Sequence, residues 1–262
     1  MEQMSGTERV YIHGVRIDKL TSTQAYGRLC AMLSSNTAQP QAIFTPNAEM
    51  LYRAANDPAF AAILNQATLN TADGVGTVWA SRTMGSPLPE RIAGIELGEA
   101  ALELAAAKKL PVFLLGGKAG VAYRAAANLR QRYHGLNIVG THHGYFDVEG
   151  EQNQAVINAI CASAPKLLIV CLGSPRQERW IVQNRHLLGG VSVAMALGGS
   201  LDVWAGDVRR APATVRALGM EWLWRILLSP SRLTRAKSLP AFVIMTIKKS
   251  RQSASDVGKQ PQ

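Results

Sequence analysis

The sequence has few of the features that mark secreted or membrane-spanning proteins. It contains only three cysteines, Cys30, Cys161 and Cys171, which are odd in number and far apart. This predicts reduced structural thiols in a cytosolic protein, and neither a disulfide framework nor a zinc site. Residues 1–14 lack a basic start followed by an apolar run, so we expect no signal peptide or N-terminal anchor. The apolar run at residues 239–247 is about half the length that a bilayer-spanning helix needs.

Motifs of several common enzyme classes are also missing. The sequence has no D-x-D pair of the kind that holds Mg²⁺ beneath a nucleotide sugar, no H-E-x-x-H, no G-x-S-x-G, and no complete G-x-G-x-x-G or Walker pattern. His142 and His143 are adjacent and lack the i, i+4 spacing of a helical metal site. We therefore predict no metal and no cofactor. If a diphosphate leaves during the reaction, arginines and backbone dipoles must stabilise its charge.

The pattern that is present predicts an open α/β domain over residues 1–206. Short apolar runs alternate with stretches of helical length. Because the runs are apolar almost throughout, we expect strands buried on both faces, as in a doubly wound, Rossmann-like parallel sheet covered by helices. Strands are predicted at 41–45, 111–116, 137–142, 166–173 and 191–199, helices at 21–34, 94–108, 120–133 and 175–186, and a strand or hairpin at 10–17.

The positive charge is concentrated near the C-terminus. Of the formal net charge of +10, residues 207–262 carry +8. We predict a basic, amphipathic helical appendage over 207–249, broken near Pro230 and Pro240, and a disordered tail over 250–262. Such a surface attracts anionic lipid, nucleic acid or pyrophosphate, and a merely solvated helix face is an open alternative.

Polar residues follow the predicted strands, at the edge where an open parallel sheet places its ligand. Asp73, before Gly74, could act as a general base toward an attacking hydroxyl, although a turn or an N-cap is the commoner role of such a residue. Thr45 and Asn47 could equally start a helix, and Gln177 could lie on an exposed helix face.

The segment Gly116-Gly117-Lys118 follows another predicted strand. Free backbone N–H groups at the start of a helix attract anions, so this segment suits a diphosphate, and a plain βα turn is at least as plausible. Further glycines and two carboxylates, Glu178 and Asp202, follow the last two strands, in the segments 173–178 and 198–202.

A series of more specific motifs runs along the chain in order. They are TPNAEML at 45–51, ADGVG at 72–76, RIAG at 91–94, VFLLGGK at 112–118, GSPRQERW at 173–180, GGSLDVWAG at 198–206, and RAP at 210–212 followed by GMEWLWRILLSPSRLTR at 219–235. Together they resemble the WecG/TagA/CpsF glycosyltransferase family, from about Val10 to Arg235.

The resemblance implies an inverting, metal-independent transfer from a UDP-sugar to a sugar on polyprenyl diphosphate, in surface polysaccharide or teichoic acid assembly. N-acetylmannosamine is the first guess for the sugar. The resemblance also implies a cytoplasmic enzyme on the inner face of the cell membrane. Its appendage is expected to dock at the membrane surface and to close over the active site.

Site residues follow from the same resemblance. Asp73 matches the general base, and Thr45, Asn47, Arg91 and Gln177 match the pocket lining. The implied substrate-binding residues are Gly116, Gly117, Gly173, Gly198, Gly199 and Asp202, with Arg225, Arg232 and Arg235 as the basic positions of the appendage. Ser174 stands where some members have alanine, and we expect this difference to be neutral.

Two other function classes are weighed against this one. A nucleotide-sugar oxidoreductase or epimerase would share the doubly wound sheet, but G-x-G-x-x-G is missing. A non-enzymatic membrane- or nucleic-acid-binding module would use the C-terminal charge. RNA-recognition signatures are absent and bulky aliphatic residues interleave the basic ones, so we predict no nucleic acid partner. Self-association of so apolar an appendage in solution stays an open alternative.

Overall fold

The computed structural model describes residues 8–212, 214–215, 224 and 238–257. The side chains of residues 253–257 are outside this description. The strands, in chain order, are β1 (Arg9–Ile12), β2 (Val15–Asp18), β3 (Gln41–Phe44), β4 (Leu69–Asn70), β5 (Pro111–Gly116), β6 (Asn137–His142), β7 (Leu167–Cys171) and β8 (Val193–Ala196).

The main sheet has the strand order β4-β3-β8-β7-β5-β6, and every neighbouring pair in it is parallel. The chain passes from β3 to one edge of the sheet and from β5 to the other edge. The carboxyl ends of the strands between these two connections therefore open a crevice, which is where doubly wound sheets bind ligands. The predicted parallel α/β fold is confirmed.

Helices cover both faces of the sheet. They are α1 (Ser22–Ser34), α2 (Ala48–Asn56), α3 (Pro58–Asn65), α4 (Val75–Thr83), α5 (Gly94–Ala107), α6 (Val121–Arg132), α7 (Glu151–Ser163), α8 (Arg176–Asn184), α9 (Ser200–Trp204) and α10 (Ser238–Val257). The first of them begins at a capping box, in which Thr21 and Gln24 satisfy each other's backbone N–H groups.

Two hydrophobic cores lie on opposite faces of the sheet. In β7, Leu168 and Val170 face one core, whereas Leu167 and Ile169 face the other, and all of these side chains are fully buried. Successive side chains of a strand point to opposite faces, so a strand covered on both sides must be apolar at every position. This explains why the sequence shows continuous apolar runs here.

The antiparallel hairpin of β1 and β2 lies outside the main sheet and is joined by His13 and Gly14. Both turn residues have positive φ, 50° for His13 and 83° for Gly14. That geometry matches the right-handed twist of the flanking strands. The predicted hairpin is confirmed.

The C-terminal helix α10 packs against the α/β domain. Phe242 is 1% exposed and belongs to the core that contains Phe44. The Thr246 hydroxyl is 2.9 Å from Nε2 of His13, and the Ser250 hydroxyl donates to the carbonyl of Thr83 at 2.7 Å. Helix α10 is therefore tied to the first hairpin and to α4.

The structure of the C-terminal region differs from the prediction in two details. A break was expected near Pro240, and α10 begins at Ser238 with Pro240 in its first turn, where the missing N–H costs no helical bond. Disorder was expected from Ser250, and this is wrong as far as Val257 because the helix continues to that residue. The polar composition of the segment reflects an outward-facing surface, since Arg251 and Gln252 are exposed.

Across the described ranges we find no helical segment with the length and hydropathy that a bilayer crossing requires.

Candidate functional site

Backbone hydrogen bonds bring three of the predicted segments together at the carboxyl end of the sheet. The N–H of Asp73 donates to the carbonyl of Pro46 at 3.1 Å, which joins the loop after β4 to the loop after β3. The N–H of Ile92 donates to the carbonyl of Ala72 at 2.9 Å, which adds the RIAG segment. Thr45, Asn47, Asp73 and Arg91 are thus on adjacent loops, as the motif positions suggested.

Asp73 does not cap the helix that follows it. The N-cap of α4 is Gly74, whose φ is 81° and which has no side chain that could cap the helix. The Asp73 carbonyl accepts from the Thr77 hydroxyl at 3.0 Å, and the residue is half-buried. The backbone of Asp73 is therefore fixed on both sides, and the residue stands one position before the N-cap of α4.

Asn47 does cap a helix. Its Oδ1 accepts from the N–H of Met50 at 3.0 Å and starts α2. The helix-start alternative is therefore correct for this oxygen, although the capping residue Asn47 still lies in the same loop as Thr45. Thr45 is 8% exposed and lies against the start of α5, where a Cβ on Gly94 would be 2.7 Å from its Oγ1.

Arg91 lies at the edge of the crevice beside a second arginine. Nη2 of Arg91 is 3.9 Å from Oε1 of Glu96, and Nη2 of Arg210 donates to the same oxygen at 2.6 Å. Arg210 also approaches Glu99 at 3.8 Å. The RAP segment is therefore anchored on α5 by two carboxylates, of which Glu96 also approaches Arg91. The sequence did not indicate a role for Arg210, although this residue belongs to the RAP motif.

Gln177 is not on an exposed face. It is 3% exposed, and its Oε1 accepts from the N–H of Gly173 at 3.2 Å and from the N–H of Gly198 at 3.0 Å. One carboxamide thus ties the loop after β7 to the loop after β8. The Nε2 of Gln177 donates to Oε1 of Glu178 at 2.7 Å.

Glu178 is a buried carboxyl that the sequence analysis did not single out. It is 0% exposed, and burial raises the pKa of its carboxyl, although the Gln177 amide, the Glu178 backbone N–H, the Ser174 hydroxyl and Arg53 act in the opposite direction. The sequence pattern could have indicated the burial of Glu178, because this residue is three positions before the buried Ile181 on the inward face of α8.

The Gly116-Gly117 segment forms a tight turn, and one of its amides is bonded within the protein. The N–H of Gly117 donates to the carbonyl of Cys171 at 3.3 Å. Helix α6 begins only at Val121, after Gly120. Gly116 has φ of 137°, and a Cβ there would be 2.3 Å from the Cys171 carbonyl oxygen, so only glycine fits. The Gly117 amide is therefore engaged within the protein, and the role of Gly116 and Gly117 in binding a diphosphate stays a prediction.

A cavity of about 380 Å³ lies beside this turn, lined by Lys118, Ala119, His143 and Tyr145. The loop after β6, which supplies the last two of these, is held by Arg176, whose guanidinium donates to the carbonyls of Gly144 and Phe146. The cavity combines an ammonium group with a 68% exposed tyrosine ring. This composition suits a phosphate next to a flat aromatic group.

Beyond Gly198, the N-cap of α9 is Gly199, and Asp202 is half-buried within that helix. The Asp202 carbonyl accepts from the N–H groups of Asp207 and Val208 at 3.0 and 3.1 Å. These bonds turn the chain toward the RAP segment. Three further predicted residues, Arg225, Arg232 and Arg235, lie outside the described residues.

The thiols and the metal prediction can also be compared with the structure. All three cysteines are free, as predicted, and burial raises the pKa of Cys171 to about 12, so this thiol is inert. Within the described ranges, no group of three or more His, Cys, Asp or Glu side chains is arranged to hold a metal ion.

The sequence matches those of known proteins over nearly the whole chain. A family model described as glycosyl transferase WecG/TagA/CpsF family matches residues 10–256. The chain is 36% identical over 252 residues to an N-acetylglucosaminyldiphosphoundecaprenol N-acetyl-beta-D-mannosaminyltransferase of Staphylococcus aureus strain NCTC 8325 / PS 47, which covers 96% of this chain and 97% of the relative. Relatives of the same name in strains COL and MSSA476 match with the same identity and coverage. The predicted resemblance is confirmed, and the chain is a glycosyltransferase that belongs to the WecG/TagA/CpsF family.

Proposed function

We propose that the protein transfers a sugar, with N-acetylmannosamine as the first choice, from a UDP-sugar to a sugar carried on polyprenyl diphosphate. The observation that carries the proposal is the pair of backbone hydrogen bonds that joins the loops of Thr45, Asp73 and Arg91 at the carboxyl end of the sheet. The names of the relatives support it, because they specify mannosaminyl transfer to an N-acetylglucosaminyl-diphosphoundecaprenol. Surface polysaccharide or teichoic acid assembly is the pathway class that such an acceptor serves.

The chemistry proposed for this site is a single displacement. Asp73 accepts the proton of the acceptor hydroxyl, that oxygen attacks the anomeric carbon, and UDP leaves from the opposite face with inversion. A general base must be within hydrogen-bond reach of the proton that it removes, so it cannot be fully enclosed by protein. The half-burial of Asp73 and the capping of α4 by Gly74 are consistent with this requirement.

The donor must place its diphosphate near positive charge. The Gly173 and Gly198 amides already donate to Gln177, so these two N–H groups are engaged within the protein. We assign the nucleotide part of the donor to the cavity of Lys118 and Tyr145, where the ammonium and the aromatic ring face one space of about 380 Å³. Arg91 and the arginines of the appendage are the cations proposed for the developing charge of UDP.

Helix α10 supports a peripheral position at the inner face of the membrane. Its outward surface combines Val243 and Ile244, which are 39% and 55% exposed, with the exposed cations Lys248 and Arg251. Apolar side chains beside basic ones are typical of helices that lie in the membrane interface. Each cation near anionic lipid contributes about 1 kcal/mol. A lipid-linked acceptor would be reached from this position.

The assay that tests the proposal measures UDP release from a panel of UDP-sugars, with and without a lipid-diphosphate-linked N-acetylglucosamine acceptor, in EDTA. We expect acceptor-dependent release with UDP-N-acetylmannosamine and no loss of rate in EDTA. Proton NMR of the product should show the anomeric configuration opposite to that of the donor.

Each possible failure of this assay has a separate meaning. Release without acceptor would indicate hydrolysis and would contradict transfer. Retention of configuration would contradict the single displacement, and full inhibition by EDTA that Mg²⁺ reverses would contradict metal independence. Bound nicotinamide absorbance in the purified protein would favour the oxidoreductase alternative.

A further inference from the structure

Residues of the GSPRQERW segment form a hydrogen-bonded chain that ends on two substrate-side loops. Oε1 of Gln177 accepts from both the Gly173 and the Gly198 amides, at 3.2 and 3.0 Å. A carboxamide oxygen has two lone pairs, so both are used. The orientation of this carboxamide therefore sets the spacing between the loop after β7 and the loop after β8.

A carboxamide in this position needs a partner for its nitrogen. If the group turned over, the NH₂ would face two N–H donors, and both loops would lose their acceptor. Glu178 prevents this because its Oε1 accepts from Nε2 of Gln177 at 2.7 Å. The acceptor is 0% exposed, so water does not compete for the bond.

The other half of the Glu178 carboxyl faces a second polar group of the same segment. Oε2 of Glu178 and Oγ of Ser174 are both buried, and neither has a hydrogen-bond partner of normal geometry within the described residues. The Ser174 hydroxyl is nevertheless close enough to act on the Glu178 carboxyl. An unpaired buried polar atom is costly, so a hydrogen bond between these two groups would satisfy both atoms.

The geometry points to Glu178 as a positioning residue for glycosyl transfer, which, supported by Ser174, holds the Gln177 carboxamide across the glycine loops after β7 and β8. The inference rests on the proposed function only for its effect on catalysis, since the effect on the loops does not require turnover. What Glu178 must supply is an acceptor oxygen in an enclosed site, so its charge is not needed for the role. The buried hydroxyl of Ser174 is then part of the support, where we had expected it to be neutral.

Four variants separate the effect of Glu178 on the loops from its effect on catalysis. They are Glu178→Gln, Glu178→Leu, Gln177→Ala and the double variant of the last two. E178Q keeps an acceptor oxygen in the same place, whereas E178L removes it with little change in volume. Hydrogen exchange at the Gly173 and Gly198 amides reports the loops directly. We expect faster exchange in E178L and Q177A, and wild-type exchange in E178Q. Thermal unfolding of each variant serves as the folding control.

Steady-state transfer then tests the catalytic consequence. We expect E178L to lower kcat/KM by roughly 10- to 100-fold, E178Q to restore most of it, and E178L to have no further effect in the Q177A background, because residues that act through one another are not additive. Unchanged exchange in E178L, an E178Q variant as impaired as E178L, or additive losses in the double variant would each overturn the inference. Should E178L fail to fold, exchange in Ser174→Ala and in E178Q still decides the inference. We then expect faster exchange at the two glycine amides in Ser174→Ala and wild-type exchange in E178Q, and unchanged exchange in Ser174→Ala would overturn the inference.

The exchange experiment also separates this inference from the proposed function. If the wild-type protein transfers no sugar but E178L frees the two glycine amides while E178Q does not, the positioning role stands and the assigned reaction fails. If transfer is seen and the amides exchange alike in all variants, the reaction stands and the positioning role fails.

Discussion

Asn47 and Asp73 follow neighbouring strands, and each could have been a helix cap. Asn47 is one, since its Oδ1 accepts from the Met50 amide. Asp73 is not one, because Gly74 takes the N-cap position of α4. The difference arises from a single glycine between the acid and its helix. At this scale the candidate base is the strand-end residue that does not occupy an N-cap position.

The first residue-scale prediction concerns the proposed base. Asp73→Asn should fold normally and lower kcat by about 10² to 10⁴-fold, because an amide cannot accept the proton of the acceptor hydroxyl. The matched control is Glu103→Gln, an exposed carboxylate on α5. Turnover of D73N at the wild-type rate, with the control also unaffected, would remove Asp73 from the mechanism.

A second prediction concerns the contact between Thr45 and the start of α5. A Cβ on Gly94 would lie 2.7 Å from Oγ1 of Thr45, so Gly94→Ala must displace that buried side chain. We expect a loss of about 10²-fold in kcat/KM, as small displacements of pocket groups commonly cause. Gly27→Ala is the control, because nothing lies within 4 Å of its Cβ and a helix interior favours alanine. Equal activity of the two variants would show that the position of Thr45 is not critical.

At the scale of elements, α10 and the first hairpin meet in a buried contact from distant parts of the chain. His13 is 6% exposed, bonds to Thr246 at 2.9 Å, and lies edge-on to the ring of Phe242 at 5.5 Å. Burial, followed by the positive charge of Lys249, lowers the pKa of His13 to about 4. The buried site therefore favours the neutral form of the imidazole.

This contact predicts a pH dependence of stability. Between pH 6.5 and about 4, the unfolded chain protonates His13 and the folded chain does not, so the free energy of unfolding falls as the pH falls through this range. The contribution is at most about 3 kcal/mol. His13→Asn tolerates the positive φ and does not titrate. Denaturant unfolding at several pH values should show a steeper acid loss for the wild type than for H13N, and parallel curves would contradict the shift.

At the scale of the whole molecule, the charge asymmetry has a structural counterpart. Net positive charge collects in residues 207–262, and the described part of that region presents Lys248 and Arg251 beside exposed aliphatic side chains on α10. The opposite side of the same helix carries Phe242 into the core of the α/β domain. One helix thus connects the catalytic domain to a surface suited to anionic lipid.

Vesicle binding tests this surface in the full-length protein. We expect co-sedimentation with phosphatidylglycerol vesicles at low salt, little with phosphatidylcholine, and roughly tenfold weaker binding after V243S together with I244S. The control is Tyr123→Ser, which removes a 70% exposed ring from α6. Unchanged binding by the double variant would place the docking surface outside α10, and loss in the control alone would place it on α6.

The sequence by itself determined the parallel α/β class, because strands covered on both faces must be apolar at consecutive positions, as in β7. It also determined the family and the positions of the polar loops, because the motifs follow the ends of the strands. Only the tertiary structure decided which polar groups are available. It placed Gln177 between two loops, used the Gly117 amide for the Cys171 carbonyl, buried Glu178, and joined α10 to His13. These outcomes depend on hydrogen bonds and packing between residues far apart in the chain, and local periodicity carries no information about such partners.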